Sequence, residues 1–292
     1  MSDGLPVIIL VLITLGAATV NGALGYGFSS ITVPVGLLVY TNRILNPALV
    51  LMEVALNSYV LFLNRQSVPL AWKRVLPILV GLLPGVMAGS YLLSSVYPGW
   101  LKCLTYALVL PLILLQAAGV RRPLRYEKAV GFPFGAGIGV LYALTTISGP
   151  PLALLLNNQG FVKEEFRAAL ALVRVTESTL TATVYGFLGL YSASSTGLLC
   201  SIVPSVMVGV PLGAYMIRRM DAETFRRICM SFDAWVVGFG FSRVLIDLKL
   251  VASPMAYLGL LAAALLDGYL LYDYFTKRQR LRLPSMVSSD VA

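Results

Sequence analysis

The sequence contains no histidine and only three cysteines among its 292 residues. The absence of histidine removes the commonest metal ligand and the commonest general base. The three cysteines, Cys103, Cys200 and Cys229, lie in apolar runs at spacings that match neither a disulfide framework nor a metal site. The sequence therefore predicts no metal and no cofactor, and it favours thiols that pack as small hydrophobic side chains.

Charge is also scarce, because only 12% of the residues are charged while 58% are hydrophobic. Apolar runs recur along nearly the whole chain, and a helix needs about 20 such residues to cross a bilayer core of ~30 Å. The runs at 75–93 and 197–217 have this length and lack the ~10-residue alternation of barrel strands. The composition predicts an all-α integral membrane protein.

Eleven apolar elements can be marked between polar joints. They lie at about 5–20, 30–40, 47–63, 75–93, 101–118, 130–144, 151–157, 166–190, 197–217, 228–246 and 254–275. The first run follows an acidic residue rather than a basic one, so we expect a retained helix and not a cleaved leader.

The distribution of lysine and arginine predicts the orientation, since basic residues collect in cytoplasmic joints. The joints at 64–74, 120–129, 163–167 and 218–227, together with the tail after 276, hold seventeen of these residues. Four others, Arg43, Lys102, Arg243 and Lys249, fall on the opposite side. This pattern predicts a multi-pass protein of the cell inner membrane with its N-terminus outside and its C-terminus in the cytoplasm.

Two pairs of elements are too short to cross the membrane twice. The segments 5–40 and 130–157 must each begin and end on one side, so we expect broken or re-entrant helical hairpins. The breaks fall at 22–28 and 148–151, where glycines and a proline pair interrupt the helix. A broken backbone at membrane depth is typical of ion or substrate sites, although a packing kink is the alternative.

The order of the elements and the sides assigned to their joints also predict an internal duplication. Each half consists of a hairpin followed by three helices, and the second half is inverted. Gly85 and Gly89 correspond to Gly209 and Gly213. We expect a first repeat at 1–120, an inverted repeat at 121–250, an additional helix at 251–276 and a basic tail at 277–292. Inverted repeats are typical of transporters, whose sites lie at the repeat interface.

These features resemble the TauE/SafE sulfite exporter family. The openings of the two halves carry the resemblance, namely the stretch from Gly22 to Pro34 and the stretch from Gly135 to Pro151. Where that family usually shows a Gly-Gly pair, this chain has Gly27-Phe28 and Ser148-Gly149. The resemblance covers about residues 5–246 and implies export of sulfite, a sulfonate or a related small anion.

The candidate substrate site consists of the two breaks and the long helices that follow them. A helix that restarts after a break directs free amides and a positive dipole end into it, which suits an oxyanion. The predicted substrate-binding residues are Gly27, Phe28, Ser29, Ser30, Asn57, Thr145, Thr146, Ser148, Gly149, Arg174 and Ser178. Tyr26, Tyr142 and Tyr185 are further candidates near the same cavity.

Charged residues within the membrane are costly and seldom lack a partner. Arg174 and Glu177 are three positions apart on one helix, so they can form a structural ion pair. Alternatively, Arg174 attracts the anion while Glu177 takes part in proton coupling, or Glu53 is the partner. We expect Glu177 and Glu53 to be the proton-coupling candidates.

The function predicted on these grounds is secondary transport of a small sulfur-containing anion, with a passive anion channel as the alternative. A membrane-embedded enzyme is the third hypothesis, but the sequence contains no HExxH-type, nucleophile-elbow or GxxxxGK[ST] motif. We predict no catalytic residue and no nucleic-acid partner. The expected partners are the anionic substrate, the lipid bilayer and a second copy in a homodimer.

Overall fold

The structure is a computed structural model that describes residues 4–25, 27–117, 127–157, 163–216, 219 and 222–287. Within these residues every regular element is helical. The α-helices are α1 (Gly4–Leu24), α2 (Phe28–Gly36), α3 (Asn42–Leu63), α4 (Val68–Ser95), α5 (Pro98–Ala117), α6 (Glu127–Thr145), α7 (Gly149–Asn157), α8 (Lys163–Phe187), α9 (Ala193–Met216), α10 (Ala222–Asp247), α11 (Ser253–Ala256) and α12 (Leu258–Val287). The all-α prediction is confirmed for the part of the chain described.

Six helical segments among the described residues are long and apolar enough to cross a bilayer. They are Asn42–Leu63, Arg65–Ser95, Pro98–Leu115, Ala193–Met216, Arg227–Asp247 and Ser253–Thr276. Two shorter apolar stretches, Val7–Ala23 and Val130–Thr145, belong to α1 and α6. The chain is therefore a multi-pass membrane protein.

The second break lies slightly earlier than the sequence predicts. α7 begins at Gly149, so Pro150 and Pro151 occupy its first turn, where the missing amide donors cost nothing because those amides have no intrahelical acceptor. The interruption comprises residues 146–148 instead of 148–151. The sequence also predicts a helix that restarts after this break, and the two prolines lie in the first turn of that helix.

The last helix is longer than predicted. α12 continues to Val287, whereas the sequence analysis ends the helix at 275 and assigns 277–292 to a tail. Lysine, arginine, glutamine and leucine, which fill residues 277–283, are all good helix formers and can extend a helix beyond its apolar part. The predicted basic joint with Arg121, Arg122 and Arg125 lies outside the described residues.

Helix boundaries recur at an interval of 121 positions. α1 ends at Leu24 and α6 ends at Thr145, α2 and α7 are both nine residues long and start 121 positions apart, and α3 and α8 also start 121 positions apart. The backbone has a positive φ at the same place in both breaks, 82° at Gly25 and 56° at Thr146. The two broken segments therefore share one backbone design.

Glycines allow two close helix contacts. A Cβ atom added at Gly85 of α4 would lie 2.1 Å from the carbonyl oxygen of Ala136 in α6. A Cβ atom added at Gly213 of α9 would lie 1.8 Å from the carbonyl oxygen of Thr19 in α1. Small residues let membrane helices approach closely, so α4 packs on α6 and α9 packs on α1 backbone to backbone.

α3 and α8 pack against each other in an antiparallel orientation at the centre of the molecule. Asn46 near the start of α3 and Tyr185 near the end of α8 both bond to carbonyls at the end of α6. At the other end, Leu63 of α3 and Leu170 of α8 line one cavity. The two long helices that follow the breaks therefore run past each other in opposite directions.

Two basic residues on the side with few positive charges cap helix C-termini. Arg43 donates from Nε to the carbonyl of Leu93 at 3.0 Å and from Nη2 to the carbonyls of Ser94 and Val96, at 2.6 and 2.9 Å. The Nζ of Lys102 donates to the Leu37 carbonyl at 2.6 Å, just after α2. Cations are favourable where helix carbonyls are unpaired. Arg43 and Lys102, which do not follow the distribution of the other basic residues, therefore have a structural role.

Candidate functional site

Each break is joined by a serine to a carboxyl group on the long helix that follows it. Ser29, in the first turn of α2, donates its hydroxyl to Oε1 of Glu53 at 2.7 Å. Ser148, directly before α7, donates its hydroxyl to Oε1 of Glu177. All four residues are buried. The breaks thus place two hydroxyls and two carboxyls in the interior of a membrane protein.

Arg174 of α8 connects this network to α1 and α3. Its Nη2 lies 2.9 Å from Oε1 of Glu53, and its Nη1 donates to Oδ1 of Asn21 at 3.4 Å and to the carbonyl of Gly25 at 3.3 Å. The guanidinium is 3% exposed and Glu53 is fully buried, so the pair is an ion pair withdrawn from solvent.

Of the two partners that the sequence leaves open for Arg174, Glu177 and Glu53, the structure shows Glu53. Arg174 pairs with Glu53 on the neighbouring antiparallel helix, while Glu177 takes the hydroxyl of Ser148. The three-residue spacing identifies side chains that can meet on an isolated helix. It does not account for a carboxylate that another helix brings close. Glu53 of α3 is such a carboxylate.

Several residues of the network are related by the same interval of 121 positions. Glu53 and Arg174 are 121 positions apart, and Asn21 and Tyr142 are separated by the same interval. Asn21 accepts from Arg174, and the hydroxyl of Tyr142 donates to Oε2 of Glu53 at 2.7 Å. Asn21 and Tyr142 thus occupy matching places beside the central ion pair. The sequence analysis does not include Asn21 and lists Tyr142 only as a secondary candidate, although the interval could have identified both.

A second matched pair supports the backbone of Arg174. Asn57 approaches the Arg174 carbonyl with Nδ2 at 3.5 Å, and Ser178, 121 positions later, donates its hydroxyl to the same carbonyl at 2.7 Å. Both are predicted site residues. Their side-chain donors contact the main chain of Arg174, so these donors are occupied in this state and do not face a ligand.

The two predicted threonines stabilise the break itself. Thr145 donates its hydroxyl to the Leu141 carbonyl at 2.7 Å and accepts from the Ile147 amide at 3.0 Å. The hydroxyl of Thr146 donates to the Thr145 carbonyl at 2.7 Å. These side chains cap the end of α6, so their geometry matches the structural interpretation of the kink.

The remaining predicted residues surround the breaks. Gly27 is the residue before α2 and has a φ of 106°, and Gly149 is the first residue of α7. Phe28 is fully buried in an apolar cluster, and Ser30 is 2% exposed. Tyr26 lies outside the described residues.

Three buried atoms of the network have no hydrogen-bond partner among the described residues. They are Nδ2 of Asn21, Nε of Arg174 and Oε2 of Glu177. A buried polar atom without a partner costs roughly 1–3 kcal/mol, so native proteins keep few of them and often at functional sites. Two donors and one acceptor are therefore available to a ligand, a proton or water.

A cavity of about 570 Å³ lies next to this network, between α1, α3, α8 and α9. Asn21 and Gly25, the two residues that accept from Nη1 of Arg174, line one end of it. Asn64 and Arg167 line it where α3 ends and α8 begins. The intervening wall is almost entirely apolar and consists of Met52, Ala55, Leu56, Tyr59, Val60, Leu63, Leu170, Val206, Met207, Val210, Pro211 and Ala214, with Gly22 and Ala23.

The opposite end of the same site is closed. Tyr185 donates its hydroxyl to the Ala143 carbonyl, and Asn46 donates from Nδ2 to the Leu144 carbonyl at 2.7 Å. Asn42 reaches the Leu144 carbonyl as well, at 3.3 Å. These residues are buried, and Tyr142, Leu144 and Tyr185 form an apolar cluster with Val50, Leu93 and Leu101.

Two acidic residues lie away from this network, on α10 and α12. Asp267 accepts from the hydroxyl of Ser231 at 2.9 Å and from Nε1 of Trp235 at 3.1 Å, which is the interhelical hydrogen bonding that we expect for a lone intramembrane acid. Asp233 is 1% exposed, and neither of its oxygens has a hydrogen-bond partner among the described residues.

The helices and the buried charges define the class of protein, a multi-pass α-helical membrane protein with a polar site where two broken helices meet. The family profile described as sulfite exporter TauE/SafE matches residues 10–240. The chain belongs to the TauE/SafE family, which is a family of transporters and not of enzymes.

A relative from Cupriavidus necator is described as a probable sulfite/organosulfonate exporter TauE. It is 29% identical over 179 residues, which are 60% of this chain and 68% of the relative. No solved structure matches the chain.

Proposed function

We propose that the chain is a secondary transporter that exports a small sulfur-containing anion, sulfite or an organosulfonate, across the cytoplasmic membrane by alternating access. One observation carries the proposal. Arg174 bonds to the first break at Gly25, its Nε has no partner among the described residues, and Asn21 and Gly25, two of the residues that hold it, line a cavity. Family membership and the name of the Cupriavidus necator relative support the choice of cargo.

The orientation in this proposal follows from charge. Arg167 and Asn64 line the cavity at the end where Arg65, Lys73 and Arg74 also lie, and basic residues collect on the cytoplasmic side. The cavity then faces the cytoplasm, with the N-terminus outside and the C-terminus inside. An exporter in this state is ready to take up its cargo.

The two halves, 1–120 and 121–250, act in this proposal as inverted repeats, with an additional helix at 251–276. The shared boundaries at 121 positions and the antiparallel arrangement of α3 and α8 support the inversion. One end of the site is open and the matching end is sealed, as expected for one state of an alternating-access cycle.

The anion in this scheme binds at the end of the cavity near Asn21 and Arg174. The unpaired Nδ2 of Asn21 and Nε of Arg174 supply donors, and a guanidinium suits an oxyanion because its planar donors match the oxygens. The apolar wall favours an organosulfonate over sulfite, because sulfite has four non-hydrogen atoms and would leave most of the wall in contact with water.

Proton coupling in this scheme uses Glu177. Glu53 accepts hydrogen bonds from Ser29, Tyr142 and Arg174, so both of its carboxyl oxygens already have donors. Glu177 accepts one bond, and its Oε2 has no partner among the described residues. With one guanidinium and two carboxyls, the buried network is neutral when Glu177 carries a proton, and an entering anion alters that balance.

Transport into proteoliposomes tests the proposal. We expect saturable uptake of sulfite and of a short alkanesulfonate, each competing with the other, and a rate that responds to an imposed pH gradient. Rates that never saturate would support a channel, and indifference to the gradient would remove the proton step. Absence of transport for every sulfur oxyanion tried would refute the choice of cargo.

A further inference from the structure

The closed end of the site is held by side chains that cap the end of a broken helix. α6 ends at Thr145, so the carbonyls of its last turn lack intrahelical partners. Tyr185 and Asn46 supply donors to two of them, those of Ala143 and Leu144. A seal made in this way can open and close without unfolding a helix, because it consists of side-chain bonds to one exposed helix end.

The open end contains the same parts in matching positions. Residues 121 positions from the acceptors Ala143 and Leu144 are Gly22 and Ala23, in the last turn of α1. Residues 121 positions from the donors Tyr185 and Asn46 are Asn64 and Arg167. All four of these counterparts line the cavity, so here the donors and the helix end lie on the cavity's walls instead of sealing it.

We propose that Asn64 and Arg167 are the gate residues of the open end, and that in the alternate state they bind the last-turn carbonyls Gly22 and Ala23 of α1. In that state Tyr185 and Asn46 release α6. The inference rests on the proposed alternating access and deepens it, because it names the contacts that define each state.

The chemistry at the open end is suited to this role. Arg167 is exposed, and a guanidinium next to a helix C-terminus is attracted by the carbonyls and by the negative end of the helix dipole. Asn64 at present donates from Nδ2 to the Val60 carbonyl of its own helix at 2.8 Å, so it can exchange one carbonyl acceptor for another. Closing one gate and opening the other exchanges similar bonds, which keeps the two states close in free energy.

Matched cysteine pairs test the proposal. In a background with Cys103, Cys200 and Cys229 replaced by alanine, one variant carries Asn46→Cys with Leu144→Cys and the other carries Arg167→Cys with Ala23→Cys. A short bifunctional thiol reagent is applied to the full chain in liposomes, and cross-linking is read by mass spectrometry. We expect the first pair to cross-link in the state described here and the second pair in the alternate state.

A second substitution moves the equilibrium in a known direction. Tyr185→Phe removes one bond from the closed end, so it should raise the ratio of the cross-linking rate of the Arg167→Cys and Ala23→Cys pair to that of the other pair about fivefold. If cross-linking of the second pair never exceeds the background of its single-cysteine controls while the first pair cross-links, the proposed gate is wrong.

Arg167 itself is tested by the accessibility of the cavity wall. In a variant with a single cysteine at Ala55, we expect Arg167→Ala to increase labelling by a membrane-impermeant thiol reagent by up to about twofold, because the alternate state loses its seal and two states of similar free energy are each about half populated. Arg65→Ala, at an exposed arginine of the same end, is the control and should leave labelling unchanged. Equal labelling in all three proteins would overturn the role of Arg167.

These readouts do not depend on the cargo. If the cysteine-free parent fails to transport any sulfur oxyanion but both cross-links form, the proposed cargo is wrong and the gate stands. If the parent transports and the second cross-link never forms, the gate is wrong and the transport function stands.

Discussion

The two ends of the site differ although they are assembled from matching positions. At the sealed end Tyr185 and Asn46 bind the end of α6 within an apolar cluster, whereas at the cavity end their counterparts are Asn64 and Arg167. A tyrosine ring fills apolar space and its hydroxyl makes one neutral hydrogen bond, while an arginine side chain is charged, is well solvated and attracts anions. Matching backbone positions therefore hold different side chains, aromatic and neutral at the sealed end and partly cationic at the cavity end.

The centre of the molecule is shared by both ends. Glu53 and Arg174 occupy positions 121 residues apart in the sequence, and their side chains contact each other at 2.9 Å. Identical charged residues at such a position would repel each other in a medium of low dielectric. Charges of opposite sign at the two matching positions remove this repulsion, so Glu53 and Arg174 attract each other.

The largest expected effect comes from this shared centre. Arg174→Gln removes the guanidinium and leaves Glu53 buried without its ion-pair partner, which typically costs about 3–5 kcal/mol. We expect loss of transport and of anion binding together with a lower thermal unfolding midpoint. Transport assays in proteoliposomes and unfolding of the purified protein measure the two effects.

A double variant separates charge from function. Glu53→Gln with Arg174→Gln removes both charges, so we expect the unfolding midpoint to recover most of its value while transport stays absent. Recovery of transport in the double variant would show that the ion pair is structural and that the anion binds elsewhere.

The next effect concerns the glycine contacts that flank the two ends. Gly213→Ala in α9 and Gly85→Ala in α4 each place a Cβ atom against a backbone carbonyl, which cannot move aside as a side chain can. We expect each substitution to destabilise the fold by about 3 kcal/mol. Thermal unfolding in detergent is the measurement.

Gly197→Ala is the matched control on α9, because no atom lies within 4 Å of the added Cβ. It should be neutral or stabilising by about 0.5–1 kcal/mol, as expected for alanine replacing glycine within a helix. If Gly213→Ala were as mild as this control, the contact between α1 and α9 would be looser than the one between α4 and α6.

The sequence could predict most of the helices and both breaks, because apolar runs, glycines and prolines are local signals. It could not predict the partner of Arg174, since the pairing with Glu53 depends on how α3 and α8 cross. Asn21 has no distinctive local pattern, and the signal that points to it is the interval of 121 positions that matches it to Tyr142. The place where α7 begins was missed because a proline pair starts a helix as readily as it ends one.

A smaller effect tests the sealed end alone. Tyr185→Phe keeps the ring but leaves the fully buried Ala143 carbonyl without this donor, which costs roughly 1–3 kcal/mol in the sealed state. We expect residues of that end to become more accessible, as measured by labelling a single cysteine at Ser90, which is fully buried in this state.

Tyr106→Phe is the control for this experiment. The hydroxyl of Tyr106 donates to the Pro34 carbonyl at 2.8 Å, and the residue is 1% exposed, but this bond goes to α2 and not to the end of α6. It should lower stability by a similar amount without changing the labelling of a cysteine at Ser90. Equal labelling in the two variants would assign the effect of Tyr185→Phe to general loosening.

The smallest effect concerns the matched break residues. Thr146 has a φ of 56°, which costs a side chain with a Cβ roughly 1–2 kcal/mol, whereas its counterpart Gly25 adopts a φ of 82° without strain. Thr146→Gly relieves the strain, but it stabilises the unfolded state by about 0.4–1 kcal/mol because glycine has more backbone freedom. It also removes the hydroxyl's bond to the Thr145 carbonyl. We therefore expect a change in unfolding free energy within about 0.5 kcal/mol of zero, whereas Gly25→Thr should destabilise by about 1 kcal/mol. A clear loss of stability in Thr146→Gly would mean that the hydroxyl holds the sealed end more strongly than its one bond indicates, and that the two breaks are less alike than their backbones.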